Sequence, residues 1–90
     1  MSYVKTRGGN MARIIDTDKK NLIGSRLKKL RKKLRISQQD LSNKLELYGV
    51  YVCRGSVSRI EDYSRTVTDI ELYSIAKALG VDVKELLEAE

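Results

Sequence analysis

At three places along this 90-residue chain a Ser, Thr or Asp with an acidic residue three positions later stands just ahead of apolar residues at helical spacing: Ser37 with Asp40, Thr68 with Glu71, Asp82 with Glu85. Each pair marks a helix start. The first side chain accepts from the backbone N–H three residues on, and the acidic side chain reaches back to the first residue's own N–H. Two donors that a helix cannot satisfy internally are thereby paired. Apolar residues follow at helical spacing: Leu41 and Leu45, then Leu72, Ile75, Ala76 and Leu79, and Val81 set to staple against Leu86. Two more helices complete the set. Ile23, Leu27, Leu30 and Leu34 place one stripe on a helix over 22–34, with Asn21 as its cap, and Val57 and Ile60 do so over about 54–62. The alternation in Leu47–Val52 suits a strand, but no partner strand is visible, so the second helix is read as running on to a turn at Gly49. Gly80 ends the fourth helix, and a polar loop, 62–67, precedes it.

Composition narrows the chemistry further. With no Pro, Phe or Trp, the helices run uninterrupted and the core must be Leu, Ile and Val. No His and a single Cys53 exclude zinc fingers, His-based triads, Cys–His pairs and the usual metal clusters, so neither metal nor cofactor is expected. Most carboxylates sit at helix starts, where capping suffices, and the chain is not expected to be an enzyme. One thiol allows no disulfide within the chain and fits a reducing cytosol. Nothing resembles a signal peptide or a bilayer-spanning run, so a soluble cytoplasmic protein with no membrane contact and no small-molecule ligand is expected. Residues 1–20 are polar, carry Gly8-Gly9 and show no period; they read as a flexible N-terminal arm, with 21–90 as the domain.

Charge gives the first functional direction. The net charge is +6, and seven cations fall between Arg26 and Arg35. A basic run alone is an ordinary solvated helix face. This one directly precedes a short capped helix, a turn and a second short helix, which is the order needed to seat one helix on a phosphate backbone and lay the next in a DNA groove. The N-terminus of helix 2 offers unsatisfied N–H groups and the positive end of a helix dipole, with Gln38 adding a side-chain donor. Helix 3 leaves Arg54, Ser56, Ser58 and Arg59 on faces not taken by Val57 and Ile60, and Arg is well shaped for the two acceptors of guanine. Gly55 either lets the backbone approach DNA closely or is simply permissive near a helix start.

Four pieces then add up. Ile23-Gly-x-Arg-Leu-Lys-x-Leu-Arg, Ile36-Ser-Gln-x-x-Leu, Ser56-Val-Ser-Arg-Ile-Glu and Ile75-Ala-Lys-Ala-Leu-Gly-Val, in that order, resemble the phage-repressor/Cro-type helix-turn-helix family, also called lambda-repressor-like or XRE-type. The likeness covers roughly residues 22–88. It implies an all-α, five-helix lambda-repressor-like DNA-binding bundle in which helix 3 reads the major groove. It also implies a homodimer on a palindromic operator. Arg54, Gly55 and Arg59 fall where the family reads bases, with Ser58 flanking them. Gln38 falls on a backbone-contacting position, and Ser37, Ser56, Lys44 and Arg65 complete the phosphate-contacting candidates. Arg31 and Glu61 match a partly buried ion pair that locks helix 1 to helix 3. The chain departs from the pattern in the link from Leu45 to Val57, about five residues longer than the compact motif. It departs again at Asp62-Tyr63, which replaces the Gly turn after the Glu.

The expected function is therefore a sequence-specific regulator of double-stranded DNA, acting as a repressor. The alternative is a protein-interaction module that uses the same bundle to bind a toxin or another regulator. A dimer surface is expected on helix 5 and the helix 4–5 region, where Val83 and Leu87 suit an interface and core packing equally.

Overall fold

The computed structural model describes residues 18–88. Five helices follow in order, α1 (Gly24–Lys33), α2 (Gln38–Leu47), α3 (Arg54–Glu61), α4 (Asp69–Leu79) and α5 (Val83–Leu87), and no strand occurs among the described residues. All three capping boxes form. In the first, the Ser37 hydroxyl accepts from the Asp40 N–H at 2.9 Å, and Asp40 accepts from the Ser37 N–H at 2.8 Å. The Ser37 N–H and hydroxyl hold the Asp40 carboxyl below the usual carboxylate range.

The core is a single aliphatic cluster in which Leu27, Leu41, Leu45, Ile60, Ile75 and Leu86 are completely buried. Each such side chain contributes about 1.5–3 kcal/mol relative to exposure. α2 packs on α3 and α4, α1 on α3 and α5, and α4 on α5. Where α1 meets α3 the backbones nearly touch: a Cβ added at Gly24 would stand 2.6 Å from the Ile60 carbonyl oxygen. No side chain fits there.

Helix 1 begins two residues later than the periodicity suggests. Asn21 Oδ1 accepts from both Ile23 N and Gly24 N at 2.9 Å, which satisfies the first donors before the helical turn starts. Its amide nitrogen donates to Ile60 O and Arg65 O, so one side chain ties the start of α1 to the end of α3 and the loop beyond. Leu34 leaves the expected stripe. It is 48% exposed because Arg35 turns the chain at φ 59° immediately after it. Of the expected arm, residues 1–17 lie outside the described residues. At its end, the Lys20 N–H donates to Tyr63 O at 2.9 Å.

Candidate nucleic-acid interface

Three helices converge on one buried carboxylate. Arg31 of α1 meets Glu61 of α3 with two hydrogen bonds, Nε to Oε2 at 2.7 Å and Nη2 to Oε1 at 3.1 Å. Its remaining Nη1 donates to Ile36 O at 2.8 Å, in the turn before α2. Gln38 Nε2 donates to the same Glu61 Oε1 at 3.0 Å. The fork and the Gln38 amide give each Glu61 oxygen at least one donor, and no buried side-chain polar atom among the described residues lacks a partner. Removing one member of such a pair costs about 3–5 kcal/mol, because the other stays buried and uncompensated. This knot fixes the N-terminus of α2 relative to α3.

That N-terminus is half open. Asp40 N–H is taken by the Ser37 hydroxyl, whereas the Gln38 and Gln39 N–H groups have no acceptor among the described residues. They point an anion-binding dipole end outward, next to a Gln38 side chain whose orientation Glu61 sets. Asp40 opposes an incoming phosphate through its own charge, but it is fully exposed and screened by solvent. Ser37 is engaged in the cap, and Lys44 is exposed in the last turn of α2.

On α3, Val57, Ile60 and Glu61 face inward, while Arg54, Gly55, Ser58 and Arg59 are exposed at spacings of one and four residues that place them on one outward face. Ser56 lies at the edge of this face, where its hydroxyl accepts from Arg59 Nη2 at 3.2 Å. Arg59 is thus steadied across the helix surface, and Arg54 at the first turn is not. A Cβ at Gly55 would meet nothing closer than Arg59 Nη1 at 3.5 Å, so packing does not require glycine there. Its effect is to leave a gap in the outward face.

Two features that the sequence does not flag stand beside this face. Cys53 is the N-cap residue of α3, and the Ser56 hydroxyl and N–H, then the Gly55 N–H and Arg59, hold its exposed thiol below the ordinary value. The longer α2–α3 link occupies 48–53. It inserts Val52 into the core, which anchors the start of α3, and leaves Tyr51 77% exposed, near Leu47 at the end of α2, which is 87% exposed. Only the extra length of the link hints at this.

Arg65 has partners within the fold. Expected to meet a phosphate, it directs Nη1 and Nη2 to the two oxygens of Glu71 at 3.0 and 2.9 Å, and Nη1 also reaches Thr66 O. It braces the loop against α4. Tyr63, where the resemblance leads one to expect Gly, adopts the left-handed backbone itself at φ 69°. Its hydroxyl accepts from Ser25 N at 3.1 Å at the start of α1, and Lys19 stacks over its ring at 4.4 Å.

Elsewhere, Ile70 and Tyr73 of α4 and Leu87 of α5 are exposed, with Val83 half-buried between the helices. Among the described residues, no group of three or more His, Cys, Asp and Glu side chains is placed to hold a metal ion, and no helix is long and apolar enough to cross a membrane.

Comparison with known proteins adds independent findings. A helix-turn-helix family model matches residues 27–86. The restriction-modification controller protein C.AhdI from Aeromonas hydrophila is similar at 30% identity over 71% of this chain and 89% of its own, with a TM-score of 0.63. The DNA-binding domain of BldD shares the fold at a TM-score of 0.65 and 24% identity, over 82% of this chain and 100% of that domain. No curated protein sequence is significantly similar to the chain.

Proposed function

The chain belongs to the phage-repressor/Cro-type helix-turn-helix family, and from that premise we propose that it is a sequence-specific DNA-binding transcriptional regulator, acting as a repressor on an inverted-repeat operator as a homodimer. The observation that carries the reading is the outward face of α3, which presents Arg54, Ser58 and Arg59 on a helix locked to the N-terminus of α2 through Glu61. In this reading α3 lies in the major groove. Arg54 and Arg59 pair with guanine edges, Ser58 contacts a neighbouring base, and Gly55 admits a base or sugar where a side chain would intrude. Gln38 and the open N–H groups of α2 hold a phosphate, with Ser37, Ser56 and Lys44 at the margins. One α3 reads only a few base pairs, so two copies spaced one helical turn apart supply the affinity and the symmetry.

Selection of binders from a random duplex pool, at physiological salt with competitor DNA, tests this directly. An inverted repeat with half-sites about 10 bp apart, centre to centre, is the expected product. Arg54→Ala should then relax one position of each half-site at a cost of about 1–3 kcal/mol, whereas Gln38→Ala should weaken all sequences alike. Recovery of DNA without a consensus reduces the protein to a charge-driven binder. No recovery sinks the DNA reading and leaves the bundle as a protein-interaction module.

A further inference from the structure

The interface described above leaves the basic face of α1 unused. Lys28, Lys29, Lys32 and Lys33 recur at spacings of one and four residues, lie on one face of α1, and are all exposed. Lys28, Lys32 and Lys33 have no ion-pair or hydrogen-bond partner among the described residues. Complementing the helix dipole accounts for Lys32 and Lys33, which stand in the last turn. That effect fades within one turn and leaves Lys28 unexplained. Like charges four residues apart also repel, so the arrangement opposes the helix that carries it unless a polyanion lies alongside.

Location identifies the polyanion. Arg31 binds Glu61 of α3 and the Ile36 carbonyl before α2, and so pins the C-terminal end of α1 beside the α2 N-terminus where a phosphate is expected. From exposed Arg35 through Lys32 to Lys28 the cations climb away from that point. Within α1, at about 1.5 Å per residue, Lys28 and Lys32 stand about 6 Å apart, and charges on one DNA strand recur about every 3.4 Å along the axis. That separation spans one or two phosphates. We propose that this face of α1 is a second phosphodiester-binding surface, continuous with the N-terminus of α2, which holds the duplex flanking each half-site. The proposal rests on the DNA reading of α3. It adds contacts that read no base, lengthens the footprint, and steepens the salt dependence.

The test compares two duplexes, one limited to the selected inverted repeat and one extended by about one helical turn, roughly 10 bp, on each side. Affinity is measured from about 50 to 200 mM salt for the whole chain and for the triple variant Lys28→Gln, Lys32→Gln, Lys33→Gln. All three side chains are exposed, and an unchanged thermal melt confirms that the variant folds. The unaltered chain should bind the extended duplex at least about tenfold tighter at low salt, with a log–log slope steeper by roughly two to three for each protomer at about 0.9 per phosphate neutralised. The triple variant should bind both duplexes alike, with the short duplex held as tightly as before. Equal binding of the two duplexes by the unaltered chain overturns the proposal and leaves the α3 reading intact. So does a triple variant that keeps the gain. Binding of neither duplex overturns the α3 reading itself, and the flank contact with it.

Discussion

At the scale of single residues, the cations divide into those engaged by the fold and those left to meet a partner. Arg31 and Arg65 belong to the first group, each forked onto a carboxylate, while Arg54 and Lys44 belong to the second. The division has a consequence in acid. The Arg65 guanidinium, and after it the Thr68 N–H, hold the Glu71 carboxyl below the ordinary glutamate value near about 4.3. A carboxylate whose folded pKa is depressed contributes stability that is fully present above its unfolded value and is lost as pH falls through its folded value. Glu71→Gln and Arg65→Ala should therefore both lower the urea midpoint at pH 7, and the gap to the unaltered chain should close below about pH 4. If Arg65 braces the loop, Arg65→Ala also leaves the salt slope of DNA binding unchanged. A slope shallower by about one would return Arg65 to the phosphate contacts.

Among the elements, the starts of the helices were legible and their ends only partly so. An N-cap is made by a side chain, and Ser37, Thr68 and Asp82 announce themselves by type and by the acid three residues on. The ends of α1 to α4 share one backbone arrangement, a left-handed residue whose N–H and whose successor's N–H turn back to the last carbonyls. Glycine betrays it at Gly49 and Gly80. At Arg35 and Tyr63 nothing does, because tertiary packing imposes the conformation on side chains that disfavour it. That is also why the α1 stripe misplaced Leu34. In the candidate site, the α3 face followed from a helical period alone, whereas the fate of Arg65 depended on a contact across a loop that no spacing records. Arg35→Gly tests the account. Its side chain is exposed and without a partner among the described residues, so glycine should relieve the left-handed cost and raise stability on the order of 0.5–1 kcal/mol, as a higher urea midpoint with an unchanged slope. Tyr63→Gly should not do the same, because the tyrosine hydroxyl also serves the Ser25 N–H.

For the whole molecule, what remains is how one small bundle reaches useful affinity. The α4–α5 side carries apolar surface that the core leaves over: Ile70 is 67% exposed and Tyr73 58%, lining one hollow with Leu72 and Val83, while Leu87 is exposed beside Leu72 and Val67. Of the two expected there, Val83 is half-buried against the core and Leu87 is more open. Exposed apolar residues grouped in this way mark an interaction surface more often than chance scatter does. On the homodimer reading, this side buries itself against a second copy and leaves both α3 faces outward. Joining two half-site readers makes the second binding event intramolecular, and overall affinity can then exceed that of one reader by about 10²–10⁴ without a new DNA contact. Ile70→Glu with Tyr73→Glu places like charges across that surface while changing only solvated positions of the bundle. Sedimentation should then report a monomer at concentrations where the unaltered chain is a dimer. Affinity for the inverted repeat should fall towards that for an isolated half-site, and half-site affinity itself should stay unchanged. A double variant that remains dimeric would move the interface elsewhere, with the exposed Leu47 at the end of α2 and Tyr48 and Tyr51 of the α2–α3 link as the next apolar surface to alter. A dimer formed there would lie beside the start of α3, and its half-site spacing would differ from one helical turn.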